Sequence, residues 1–551
     1  MDSPDPSDDR LDLLLVDADE RQPVFQQGLP TETSQQGPRP KKPPMPHWER
    51  TDADPNDLAL QRWAVIACEG PEGDQQLEAM APLIRLREEE QGAPARIYRV
   101  PPDLSAKQSA EWKDNVHSAE DVPVEERPRY LLMLGDLHQT SAELQHTLAN
   151  STLVGRFHAT NQDGETSLDG YAAYAAKAAR WAREAPRESA AALRFFSAPD
   201  GTSATHTGRV RLMEPSLSES TQKQAQGKLP VASVGELKAE TVEGLLEAGA
   251  GASPTVLLSL SHGLGAPRRG WASEAEQWRS QGALMINRDE VLDAERLKGR
   301  AFLPGGMWFY LACFGAGTPS SSAYHTWLQQ LSAASAFKGS VDAVLKSLPG
   351  PGQRPFLAAL PQAALANPQG PLAVLAHLDL AWTYGFSGSA KLAEGRKSRL
   401  FNTLKMMVRG SRAGVALDGL MVFYRETNNA LMAGYELEAN ARANGRPDPT
   451  DRVERGHQWM LRNDLRGYVL LGDPAARLPL GQHPVSDAMP PPAPLQPSSP
   501  GKTMTRAEAV QALLRGDQAP ATLARRAQVS LETLWDEVEA YRAGVRARNG
   551  R

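Results

Sequence analysis

Short, almost unbroken apolar runs recur along the chain, each closed by a small or polar residue and parted from the next by a segment of helical character. They are RWAVIACEG (62–70), ARIYRV (95–100), RYLLMLGDLH (129–138), ALRFFSA (192–198), TVLLSLSHG (255–263), MWFYLACFG (307–315), PLAVLAHLDLAW (371–382) and RGYVLLGDP (466–474). A strand that is apolar on successive residues must be covered on both faces, and helical connections supply that cover in parallel sheets. The pattern therefore predicts an α/β fold with a mostly parallel sheet flanked by helices. Ala-rich DGYAAYAAKAARWARE (169–184) has helical spacing and carries the chain from a first α/β subdomain (61–190) to a second (191–480).

The flanks read differently. Residues 1–60 are acidic and rich in Pro, Gln and Ser, a composition that buries too little apolar surface to offset its ordering entropy. They are expected to form a disordered tail. LDLLLVDA (11–18) stands apart, apolar enough to dock as an edge strand or bind a partner. A Pro-rich linker (481–504) precedes a small all-helical tail (505–551), in which Thr505 and Glu508 have capping-box spacing and Ser530 is placed to cap the last helix. LARRAQVSLETLWDEV has a helix–turn–helix flavour. Glu532, Asp536, Glu537 and Glu539 speak against phosphate contact, so a hairpin docking a protein partner is favoured over DNA.

Composition narrows the function. With 60 basic and 66 acidic residues, nothing points to nucleic acid or a membrane surface. No run of about 18 apolar residues is present to span a bilayer, and the acidic start is unlike a secretory leader. Two cysteines make no disulfide framework, which fits a reducing, cytoplasmic setting. Neither HExxH nor paired CxxC spacing occurs, nor a P-loop, so no metal or other cofactor is expected.

Cys313 and His262 both end apolar strands. In open parallel sheets, chemistry sits outside the carboxyl ends of the strands, so both would emerge at one edge. A neighbouring imidazole raises the nucleophilicity of a thiol. The amides of Gly263 and Cys313 are placed to form an oxyanion hole. The alternative for a lone Cys is a small apolar core residue, the reading preferred for Cys68.

In order along residues 62–480, LLMLGDLH, STLVGRFHA with the YAAYAAKAARW helix, LSLSHGLG, FYLACFGAG, AVLAHLDLAW and GYVLLGDPAARL resemble the caspase-like (clan CD) cysteine peptidases, in particular the gingipain-type branch and CHAT domains. The interval from His262 to Cys313 is also close to the roughly 50 residues of caspases. The resemblance implies a caspase-hemoglobinase-like sheet. It implies an endopeptidase that cleaves protein substrates through a Cys313–His262 dyad and an acyl-enzyme, regulated or specific to a partner. It places Asp200 near the position of a triad orienter, though one residue late, and Asp200 is equally suited to an Asp-Gly turn. Asp379 and Trp382 fall on the segment lining the first specificity pocket. Asp379 would read a basic side chain there or be an ordinary paired carboxylate. TSATHTGRVRL lacks the carboxylate of the enzymes that cut after basic residues, so a small or apolar preference is compatible. The second reading is a catalytically silent scaffold of the same fold, docking protein or DNA through its helical tail.

Overall fold

The computed structural model describes residues 10–31, 33 and 54–481, apart from 120–121, 162, 185–189, 252, 335–337, 351 and 387–389, together with 504–515 and scattered later positions. The linker expected at 481–504 and most of the helical tail, Ser530 included, lie outside the described residues. The chain divides into two compact units, one from Met1–Ala110 and Pro128–His483 and one from Glu111–Arg127 and Pro484–Arg551. In the second, the helix Arg506–Arg515 begins with the expected capping box: Thr505 Oγ1 donates to Glu508 at 2.9 Å and accepts the Glu508 amide at 3.3 Å.

The first unit is built on a ten-stranded sheet. In chain order its strands are β1 (Trp63–Cys68), β2 (Arg96–Val100), β3 (Tyr130–Leu134), β4 (Leu153–Phe157) and β5 (Ala191–Ser197). Then come β6 (Val231–Glu236), β7 (Thr255–Leu260), β8 (Met307–Leu311), β9 (Ala373–His377) and β10 (Tyr468–Gly472). The spatial order is β2-β1-β3-β4-β10-β9-β8-β7-β5-β6. Every neighbouring pair is parallel except β9 with β10. The sheet is thus two parallel blocks pointing in opposite directions, and β10, from far along the chain, completes the first block.

Along β7 and β8 alternate residues enter opposite cores, as a period of two requires. Leu258, Leu260, Phe309, Leu311 and Cys313 belong to one buried cluster; Leu257, Trp308, Tyr310 and Ala312 belong to the other. The helix Leu168–Arg183 covers the second face with Tyr171, Tyr174, Ala175 and Ala178.

Register decides where the chemistry goes. Leu260 pairs with Leu311 on one side and Ser197 on the other, and Tyr310 pairs with Ala376. Strands β5, β7, β8 and β9 therefore end together, and the residues that follow them, Asp200, His262, Cys313 and Asp379, leave the sheet at one edge.

Residues 10–31 depart from the expected disordered tail. Arg10–Leu11 pairs with Leu29–Pro30, and Leu15–Val16 forms the edge strand of a small four-stranded sheet beside Gly263–Leu264. The exception is LDLLLVDA, which docks as the edge strand its apolar character allows: Leu11, Leu13, Leu14, Leu15 and Val16 are all buried, the four leucines in the cluster that holds Cys313.

Candidate active site

Three residues past β7, Gly263 lies against the turn that follows β8. A Cβ at this position would sit 1.9 Å from the carbonyl oxygen of Cys313, so only glycine fits the approach. Beyond the thiol, Phe314 holds φ at 56°, in the left-handed region that a bulky side chain rarely adopts. Gly282 makes room for the turn, since its Cβ would lie 2.1 Å from the Phe314 carbonyl oxygen. The turn aims the amides of Gly263 and Cys313 at one point. Both donate to the carbonyl oxygen of Leu14, at 2.8 Å and 3.2 Å.

His262 and Cys313 are fully buried at this edge. The thiol is hydrogen bonded to Ala381, donating to its carbonyl at 3.4 Å and accepting from its amide at 3.3 Å. Burial pushes the thiol well above its usual range, against help from the Ala381 backbone. It also pushes the His262 imidazole below its usual value, opposed by the Asp200 carboxylate. The ring nitrogen Nε2 lies 2.9 Å from the Thr202 hydroxyl, while Nδ1 is buried without a hydrogen-bond partner. With Nε2–H donating to Thr202, the lone pair on Nδ1 is free to take a proton.

Asp200 makes the turn and lies near His262 without a hydrogen bond to it. One oxygen accepts the Thr202 amide at 2.9 Å and the Thr205 hydroxyl, making the turn; the other lies 3.8 Å from His262 Nε2. The closer partner, Thr202, escaped the sequence reading. It caps the short helix Ser203–Gly208 through the Thr205 amide, and an Asp-Gly-Thr-Ser run ahead of a helix is the signal that points to such a cap.

Asp379 lines a cavity of about 450 Å³ with Ser322, Ala323 and Arg466, and its carboxylate is held by donors at the cavity wall. Its carboxylate accepts the Ser322 hydroxyl at 3.0 Å and the Ala323 and Leu380 amides at 2.9 and 2.8 Å, which fastens the loop after Cys313. Burial pushes this carboxyl up to about 6 despite those bonds. Trp382 is fully buried, 5.5 Å from Trp327 between ring centres, and its amide donates to Asp464 at 2.9 Å. His377 is a structural residue: Nε2 donates to the Asp464 carbonyl at 3.0 Å and Nδ1 accepts the Asp379 amide at 3.1 Å. Cys68 ends β1 at the sheet's other block, buried, with its carbonyl accepting from Arg99. Among the described residues no cluster of His, Cys, Asp and Glu is arranged to hold a metal, and no helix is long and apolar enough to cross a membrane.

No protein-family model and no curated protein matches the sequence. Among solved structures, the chain is similar in fold to the Arg-specific cysteine proteinase gingipain R (RgpB), at 12% identity and a TM-score of 0.44 over 77% of this chain and 80% of that one. It is similar also to the complex of Porphyromonas gingivalis RgpB pro- and mature domains, at 10% identity and a TM-score of 0.41 over 75% and 79%.

Proposed function

We propose that the chain is a cysteine endopeptidase in which Cys313 attacks a peptide carbonyl and His262 moves the proton. One observation carries the reading: the backbone amides of Gly263 and Cys313, from different strand ends, converge on a single carbonyl oxygen, and His262 directly precedes Gly263 in sequence. Amides fixed in this way stabilise the oxyanion of a tetrahedral intermediate without reorganising.

In the reaction, the thiol leaves its contact with Ala381 and gives its proton to Nδ1 of His262 as sulfur bonds to the carbonyl carbon. The oxygen, now negative, is held by the amides of Gly263 and Cys313. The C–N bond breaks as the imidazolium returns the proton to the leaving amine, and an acyl-thioester remains on Cys313. Water, deprotonated by the same imidazole, hydrolyses it and restores the thiol. Thr202 and Asp200 keep the ring oriented and favour its charged form. Asp379, with each of its bonds used internally, supports the loop behind the thiol. Cysteine usage favours a cytoplasmic setting for this chemistry.

The test compares wild type with Cys313→Ala and His262→Ala on a diverse peptide library read by mass spectrometry. Cleavage by wild type that disappears in both variants is expected. Cleavage that survives in Cys313→Ala defeats the assignment, and a library left intact by wild type turns the reading toward the silent scaffold.

A further inference from the structure

The chain's own N-terminal segment runs through the candidate active site in extended form. The Leu14 amide donates to the Ala381 carbonyl at 3.3 Å, and Leu13 forms an antiparallel bridge with Trp382. Asp12 exchanges bonds with Thr383, its amide donating to the hydroxyl at 3.2 Å and its carbonyl accepting the Thr383 amide at 3.0 Å. Beyond Leu14, Leu15 and Val16 pair with Gly263 and Leu264, and the Gly265 amide donates to the Val16 carbonyl at 2.6 Å. The backbone is thus held on both sides of one peptide bond, Leu14–Leu15, whose carbonyl oxygen takes both converging amides. A strand that only fills a groove has no need to place that carbonyl there, next to the thiol.

Resting on the peptidase reading, we infer that Leu14–Leu15 is a bond this site cuts, and that the site takes peptides with leucine or a similar aliphatic residue before the scissile bond. The Leu14 side chain is 1% exposed, in the apolar cluster that also holds Tyr324, Trp327, Leu380 and Trp382. The nearby Asp379 has its oxygens bonded to its own chain, leaving the aliphatic side chain without a charged competitor. Asp12, two residues earlier, is met by the hydroxyls of Ser203 and Thr207, each 3.3 Å from a carboxylate oxygen. The preferred sequence is therefore acidic-apolar-leucine, cut after the leucine.

The step balances within the chain and one water. Sulfur bonds to the Leu14 carbonyl carbon, the Leu14–Leu15 C–N bond breaks, and the proton taken from the thiol by His262 passes to the new Leu15 amine. Hydrolysis of the thioester leaves a Leu14 carboxylate and a free thiol. Until that cut, the segment keeps Cys313 and His262 from solvent; afterwards Leu14 is free to leave and the site opens to other chains.

The test incubates the full-length protein at neutral pH and follows it by intact mass and N-terminal sequencing, beside Cys313→Ala. The same protein is given a synthetic peptide of residues 10–18, and versions of it carrying Leu14→Asp or Leu14→Met, which cannot misfold. A new N-terminus at Leu15 is expected in wild type and absent in Cys313→Ala. The peptide is cut at the same bond, within about threefold for Met and at least about tenfold slower for Asp, whose charge an apolar pocket rejects. An enzyme that cuts library peptides through Cys313 but leaves Leu14–Leu15 whole in chain and peptide overturns the inference and spares the peptidase reading. Failure to cut any peptide overturns both. A cut at Leu15 that persists in Cys313→Ala overturns the inference, because the site is then not the agent.

Discussion

Gly263 and Cys313 touch through backbone alone: a Cβ on residue 263 would lie 1.9 Å from the Cys313 carbonyl oxygen and 3.2 Å from its nitrogen. Neither atom can swing aside as a side chain does. Gly263→Ala must therefore spread the ends of β7 and β8 and draw one amide away from the oxyanion position. We expect kcat/KM to fall by about 10²–10³ while the protein stays folded. Steady-state kinetics with a thermal melt checks this; activity within about threefold of wild type excludes the Gly263 amide from the reaction.

Thr202 and Asp200 approach the same nitrogen of His262, at 2.9 Å and 3.8 Å, and they should fail differently. Thr202→Val removes the hydrogen bond that fixes the ring, so kcat should drop about tenfold with little change in KM. Asp200→Asn removes a negative charge that favours the imidazolium. Without it the His262 value falls further, and the acidic limb of the kcat/KM profile should move to lower pH. A profile that stays in place for Asp200→Asn would leave Asp200 with its turn alone.

The sequence disclosed the sheet better than it disclosed the site's surroundings. Unbroken apolar runs announce strands buried on both faces, and the positions just beyond them announce a shared edge, so the gathering of Cys313, His262 and Gly263 there was legible. The reversal between β9 and β10 was not. Nothing local in GYVLLGDP says that it pairs antiparallel with Ala373–His377 and parallel with LVGRF. The same motifs contain buried polar anchors whose partners are distant in sequence. Arg156 donates to the carbonyls of Gly135, Asp136 and Ser141, and Lys177 to those of Leu365, Asn367 and Pro371. LDLLLVDA was legible as a segment able to dock as an edge strand, but where Leu14 would dock was not, because the contacts that bury it lie hundreds of residues away.

Asp464 makes the stability of the fold depend on pH. It is fully buried, its Oδ1 accepts the Trp382 amide, and its Oδ2 has no partner. Burial pushes the carboxyl up to about 7, from about 3.9 in an unfolded chain. A raised carboxyl contributes stability that is complete below the unfolded value and is lost as pH rises through the folded one. Between pH 4 and 8 this group should cost up to about 4 kcal/mol. Asp464→Asn keeps the acceptor and removes the titration. It should be more stable than wild type at pH 8, with the advantage gone near pH 4. His262, depressed by burial, pulls stability the other way below pH 6.5 but is common to both proteins and cancels in the difference. His377, 3.7 Å from the Asp464 carboxylate, is coupled to the substitution, so the comparison at pH 8, where both imidazoles are neutral, carries the test. Denaturant unfolding at the two pH values decides it; an equal gap at both would place the charge elsewhere.

Asp473 separates stability from chemistry. Just past the end of β10, its carboxylate accepts Trp63 Nε1 at 3.0 Å and Arg87 Nε at 2.7 Å, all three groups buried. Its amide donates to the Tyr174 hydroxyl at 2.6 Å, so one residue ties β10 to β1 and to the helix Leu168–Arg183. Asp473→Ala strands the Arg87 guanidinium in the core with Glu90 as its remaining carboxylate. Breaking one side of a buried pair costs about 3–5 kcal/mol. Asp473→Asn, which keeps an acceptor for Trp63, should cost less. Because β9 and β10 are antiparallel, Gly472 pairs with Ala373, at the opposite end of β9 from Asp379. The damage therefore falls at the edge of the sheet away from Cys313. Turnover per folded molecule should hold while unfolding shifts to lower denaturant, and a matching loss of kcat would mean that the two edges are coupled through β9.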